Sequence, residues 1–136
     1  MRKLMAATAA AGAVLMIGAT ASTATAASSD PKPWNQSVAG AHGSGTMTTV
    51  GNPWGDEGGT VTAKGKLTVT DPKACYTIAV GIQNLGQPRG RWHKSPQKQC
   101  GPGTLNLTAT IGPEYFSSGP WVTICKDDDE RWQCKF

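Results

Sequence analysis

The sequence predicts an all-β protein: a small antiparallel β-sandwich, or partly open barrel, of about six strands held by two disulfides. Three observations carry this. Apolar and polar residues alternate with period two in several windows, most strictly between Thr60 and Thr70. The 17 Gly and 9 Pro recur too often for a long helix, and nothing beyond the first 26 residues has helical periodicity. Four cysteines, all in the second half, make an even set, which in an exported chain reads as a disulfide framework.

Export is the expectation from residues 1–26. Arg2 and Lys3 lead an uncharged run from Leu4 to Ala21, and Ala24-Thr25-Ala26 supplies a small-x-small cleavage site. The run is mostly Ala, Thr and Gly, whose transfer energies are too small for a stable anchor. Its composition resembles the signals of high-GC Gram-positive bacteria. Cleavage after Ala26 leaves 110 of the 136 residues, which suits one domain with one modest core. The signal holds two of the thirteen basic residues and none of the nine acidic ones, so the net charge of +4 falls to +2. The expected product is secreted, extracellular and without a membrane segment.

Residues 27–45 read as a flexible N-terminal arm, because Pro31, Pro33 and several Ser and Gly residues leave only Trp34 and Val38 as sizeable apolar groups. The stapled β domain is then 46–136. A short strand is expected over Thr46–Val50. In the next, Val61, Ala63, Gly65, Leu67 and Val69 alternate with Thr and Lys, a half-buried strand with its Thr/Lys face in water. Asp71-Pro72-Lys73 makes a turn, since Pro pre-sets φ. Tyr76, Ile78, Val80 and Ile82 mark the following strand, and Leu105, Leu107, Ala109 and Ile111 another. Trp121–Lys126 and Arg131–Phe136 form the last pair.

A turn around Asp129-Glu130 places Cys125 opposite Cys134, close enough to bridge. It also puts Trp121, Trp132, Cys134 and Phe136 on one face of the hairpin, an expected core edge. Cys75 and Cys100 are left to each other, so of the three connectivities the register favours Cys75–Cys100 with Cys125–Cys134. Tetrathiolate zinc binding needs two close CxxC-type pairs, which the spacings lack. The Asp127–Glu130 run has neither the ligand spacing nor the glycine bend of a calcium loop. No metal or other cofactor is expected.

The stretch from Asn84 to Gly103 has no strand or helix pattern and reads as a long loop, a form that is commonly functional. Arg89, Arg91, Lys94 and Lys98 surround Trp92 and His93, and no acid occurs between Pro72 and Pro113. Arg and Trp are the residues most enriched at binding hot spots. Trp34 and Trp54, each following a proline, are further candidate contacts. Nucleic acid is not expected, because four cations and a small net charge fall short of a phosphate-binding stripe. Catalysis has little support: His42 and His93 have no nearby acid in sequence, and adjacent Asp56 and Glu57 point apart on an extended chain.

The expected function is therefore a secreted, non-catalytic protein-interaction module that binds another secreted or cell-surface protein. It acts either as an adaptor subunit of an extracellular, toxin-like bacterial assembly, with the arm laid in a partner's groove, or as an inhibitor of an extracellular hydrolase. The alternative is a carbohydrate or cell-wall binding module that uses exposed Trp.

Overall fold

The computed structural model of the protein describes residues 28–87, 89–128 and 131–134, the side chains of 128 and 131–133 excepted. The expected signal over 1–26 lies outside these residues, as do Asp129, Glu130 and Phe136. Among the described residues the protein is all-β and antiparallel. Nine strands are present rather than six: β1 (Lys32–Val38), β2 (Ala41–Asn52), β3 (Gly58–Val69), β4 (Cys75–Gln83), β5 (Arg91–Lys94), β6 (Gln99–Cys100), β7 (Gly103–Glu114), β8 (Ser118–Asp128) and β9 (Arg131–Cys134).

They form two sheets packed as a sandwich. The first has the order β1-β2-β3-β7; the second has the order β5-β4-β8-β9, with β6 on the same edge of β4 as β5. Alternation decides which residues face inward. Val61, Ala63, Leu67 and Val69 of β3 and Leu107, Ala109 and Ile111 of β7 meet Tyr76, Ile78, Val80 and Ile82 of β4 and Val122 and Ile124 of β8 in one core.

The segment expected as a flexible arm is instead β1 and the first part of β2. Trp34 is its anchor, 8% exposed and part of the core. Directly opposite Trp34 across the sheet lie Gly45, then Gly65, then Leu107. A Cβ at Gly65 would collide with the Trp34 indole, and Gly43 also lies against it. The missing side chains leave room for one large ring, whose Nε1 donates to the Lys64 carbonyl at 3.2 Å. A segment poor in apolar residues is thus ordered by burying a single Trp, which is worth about 2–3 kcal/mol for a large side chain.

The long loop expected over Asn84–Gly103 is also corrected. Its second half holds β5 and β6, two pieces of one edge strand; Ser95 N continues the pairing with the Ile78 carbonyl at 2.8 Å. Thr77 Oγ1 donates to the Gln97 carbonyl at 2.6 Å, holding the bulge between them against the outer face of the second sheet.

Both disulfides form as the register predicts. Cys75–Cys100 joins β4 to β6 and Cys125–Cys134 joins β8 to β9, each between directly opposed residues with Cα atoms 4.0 and 4.1 Å apart. Two intact bridges fit an extracellular or otherwise oxidising compartment. Cys125 and Trp121 share the outer face of the second sheet, not a core edge, and Trp121 is 42% exposed. No helix among the described residues is long and apolar enough to cross a membrane.

Candidate binding site

Three connections meet at one end of the sandwich: the β2–β3 turn, the β4–β5 turn and the β7–β8 loop. Main-chain hydrogen bonds fasten them together. Phe116 N donates to the Pro53 carbonyl at 3.2 Å, and Ser117 N to the Gln83 carbonyl at 3.0 Å. The β7–β8 loop is therefore bolted to a turn of one sheet and to a strand of the other. Phe116, 2% exposed, is the apolar plug beneath it.

Within the β2–β3 turn, Asn52 Oδ1 accepts the Trp54 amide at 3.1 Å, and its carbonyl accepts Gly55 N at 3.0 Å. This Asx turn reverses the chain and turns the Trp54 side chain outward. The indole leans on Phe116, with centroids 6.3 Å apart and planes tilted 49°, and stays 61% exposed. In the β4–β5 turn, Leu85 projects from the tip at 83% exposure.

The described residues include five exposed large hydrophobics: Val50, Trp54, Leu85, Tyr115 and Trp121. Trp54, Leu85 and Tyr115 lie on the three connections at this end; Val50 is nearby on the outer face of the first sheet, and Trp121 on the outer face of the second. The opposite end carries Asp71, Lys73, Lys98, Lys126 and Asp127, with Lys98–Asp127 and Lys126–Asp71 ion pairs at 3.6 and 3.8 Å. The two poles differ in chemistry as strongly as they differ in position.

Charge frames the apolar end. Arg89, Asp56 and Glu57 are exposed on its turns. Arg91 Nη2 meets Glu114 Oε1 at 2.8 Å, joining the β5 edge of one sheet to the β7 edge of the other. Glu114 Oε2 and Asn84 Oδ1 are buried without hydrogen-bond partners.

The structure separates the residues that the sequence grouped. Trp34 is in the core and presents no binding surface. Trp54 is at the apolar end, and Arg89 is on its rim. Trp92 is half-buried on the outer face of the second sheet, opposite Gly81, which faces Trp121 on its other side. Arg91 and His93 point to the other side of β5 from Trp92 and Lys94, as strand alternation requires. Burial holds the Lys94 ammonium below the usual lysine range, with the Asp127 charge opposing that shift. Of the four cations around Trp92, Arg91 and Lys98 are matched by carboxylates distant in sequence, so the segment is less basic in space than in order.

Tyr115, Trp121, Leu85 and Val50 were not among the sequence candidates. Val50, Leu85 and Trp121 each adjoin a Gly, Pro or Asn, and Tyr115 directly follows the last residue of β7; those positions were the available signal. No family model matches the chain, nor does any curated protein or solved structure.

Proposed function

We propose that this is a secreted, non-catalytic protein-binding module whose contact surface is the apolar end formed by Trp54, Leu85 and Tyr115, with Arg89 on the rim. One observation carries the reading: three of the five exposed large hydrophobics among the described residues, Trp54, Leu85 and Tyr115, sit on the three connections that meet at one pole. Scattered apolar residues are ordinary on a surface, whereas a gathered group rimmed by charge marks a contact site. Trp, Tyr and Arg are also the types that dominate interface energetics. The loops beneath are fixed by main-chain hydrogen bonds, so little ordering entropy opposes binding.

The version of this reading in which a free arm lies in a partner's groove is given up, because that segment is β1. An inhibitor of an extracellular hydrolase remains compatible, with the Leu85 turn as the projecting element.

The test is comparative capture from culture supernatant on immobilised protein 27–136. Wild type should retain a partner that a Trp54→Ser/Tyr115→Ser double variant loses by at least tenfold. Equal capture by both proteins would overturn the assignment. The carbohydrate reading is favoured by a different observation, the pair of indoles flanking Gly81 on the second sheet. Cell-wall glycan that shifts tryptophan fluorescence in wild type but not in Trp121→Ser would select it instead.

A further inference from the structure

The outward face of the first sheet carries a different chemistry. Alternation sends Ser44, Thr46 and Thr48 of β2, Thr62, Lys64, Lys66 and Thr68 of β3, and Asn106 and Thr108 of β7 to this side. Their register stacks them in ranks across the sheet. One rank is Thr46–Lys64–Thr108; the next is Ser44–Lys66–Asn106. Between the ranks lies an open depression of about 370 Å³, lined by Thr46, Lys64, Lys66, Asn106, Leu107 and Thr108 over a floor of Gly45 and Gly65.

The charge of this face is one-sided. β1, β2 and β3 contain no acidic residue, and β7 contains one, Glu114, at its last position and tied to Arg91 of the other sheet. Lys64 and Lys66 take part in none of the ion pairs among the described residues. Two like charges on one strand face, two residues apart, stand about 7 Å from each other and repel mildly. Such a pair without counter-charge suits a ligand that brings regularly spaced negative charge.

We infer that this face binds an extended phosphodiester-linked polyol polymer, of the kind that decorates cell envelopes. The ammonium groups of Lys64 and Lys66 take successive phosphates. The flanking Thr hydroxyls and the Asn106 amide hydrogen-bond the polyol oxygens between them. Nucleic acid has similar phosphate spacing, but its single strands are held by aromatic stacking, and the outward positions of these four strands carry no Trp, Tyr or Phe; their one ring is the imidazole of His42, in the rank beyond Ser44. The site is separate from the apolar end and does not depend on it.

The experiment titrates protein 27–136 with lipid-free poly(glycerol phosphate), alongside dextran, polygalacturonate and oligothymidylate. Poly(glycerol phosphate) should bind tightest. With two phosphates engaged, the single-strand salt slope of about −0.7 per phosphate gives roughly 25-fold weaker binding for a tenfold rise in salt. Lys64→Gln/Lys66→Gln should lose at least tenfold in affinity with an unchanged melting temperature. Asn106→Asp, which sets an acid beside Lys66, should also weaken binding. Wild-type affinity in the double lysine variant, no binding of poly(glycerol phosphate), or equal binding of any comparator polymer would each overturn the inference.

Discussion

The benzo ring of Trp92 occupies the volume that a Cβ at Gly81 would take, with ring carbons 2.5–2.6 Å from that position. The two residues are directly opposed on β5 and β4. A short edge strand with one aromatic residue is fastened to its neighbour because the facing position has no side chain. Gly→Ala in an extended strand ordinarily gains about 0.5–1 kcal/mol by restricting the unfolded chain. Here the ring must move, and overpacking of about 1–3 kcal/mol reverses the sign. Gly81→Ala should therefore lower stability in urea denaturation and red-shift the tryptophan emission. A variant as stable as wild type would show that Trp92 is not seated there.

The same relationship explains what the sequence left hidden. The inward set of β2, Ala41, Gly43, Gly45 and Met47, alternates with outward His42, Ser44, Thr46 and Thr48 as regularly as β3 does. It is an alternation of small with polar residues, and composition alone marks it as loop. Its apolar mass comes from Trp34 on another strand, so no local window contains the signal. β3, β4 and β7 were legible because each carries its own aliphatic residues. The disulfide register was legible because a hairpin fixes which residues face each other. The apolar end was not, since gathering Trp54, Leu85 and Tyr115 depends on three connections far apart in sequence.

Both bridges clamp short edge strands, and removing either should cost measurable stability. Cys75–Cys100 closes 25 residues and Cys125–Cys134 closes 9. The chain-entropy treatment assigns them about 3.5 and 2.6 kcal/mol. Cys125 is fully buried, so its truncation also loses packing. Cys75→Ala/Cys100→Ala and Cys125→Ala/Cys134→Ala should each lose more than about 2 kcal/mol in urea denaturation. Against a typical net stability of about 5–15 kcal/mol, the loss of both would approach unfolding. A loss under about 1 kcal/mol for either pair would mean that β-pairing alone holds that edge.

Asp71 ties the β3–β4 turn to the β1–β2 turn. Its carboxylate accepts Lys73 N at 2.9 Å, Tyr76 Oη at 3.0 Å and Ala74 N at 3.2 Å. The Lys73 amide and the Tyr76 hydroxyl, helped by the Ala74 amide and the Lys126 charge, hold it below the usual carboxylate range. A carboxyl group whose folded value is depressed adds stability above its unfolded pKa of about 3.9. That contribution disappears as pH falls through the lower folded value. Wild type should thus be level near neutrality and weaken below about pH 4, while Asp71→Asn should be less stable near neutrality with a shallower acid limb. Identical acid limbs in thermal melts at pH 2–7 would remove Asp71 from this role.

Tyr76 is fully buried, and its hydroxyl lies 2.9 Å from the Ala39 carbonyl as well as 3.0 Å from Asp71. Tyr76→Phe keeps the ring and removes the link to both turns. The expected loss is about 1 kcal/mol, the usual value of one hydrogen bond. Because β1 is held to the sheet on one edge only, hydrogen exchange should report the change first at the β1–β2 turn. Exchange that rises uniformly through the core, with the turn no faster than the rest, would show that the hydroxyl does not pin β1.

Residues kept at the apolar end for contact should contribute little to folding. Leu85 and Tyr115 are 83% and 48% exposed, so serine at either position should change stability by less than about 0.5 kcal/mol. Trp54 differs because it leans on Phe116. A tilted aromatic pair is worth about 0.5–1.5 kcal/mol beyond its buried area, so Trp54→Ser should cost about 1 kcal/mol while the other two cost almost nothing. The same three substitutions should reduce self-association at high concentration, read by sedimentation velocity, because an exposed apolar pole without its partner tends to cover itself. If Leu85→Ser or Tyr115→Ser lowers the melting temperature as much as Trp54→Ser, these side chains serve the fold, and the case for a contact surface at this end weakens accordingly.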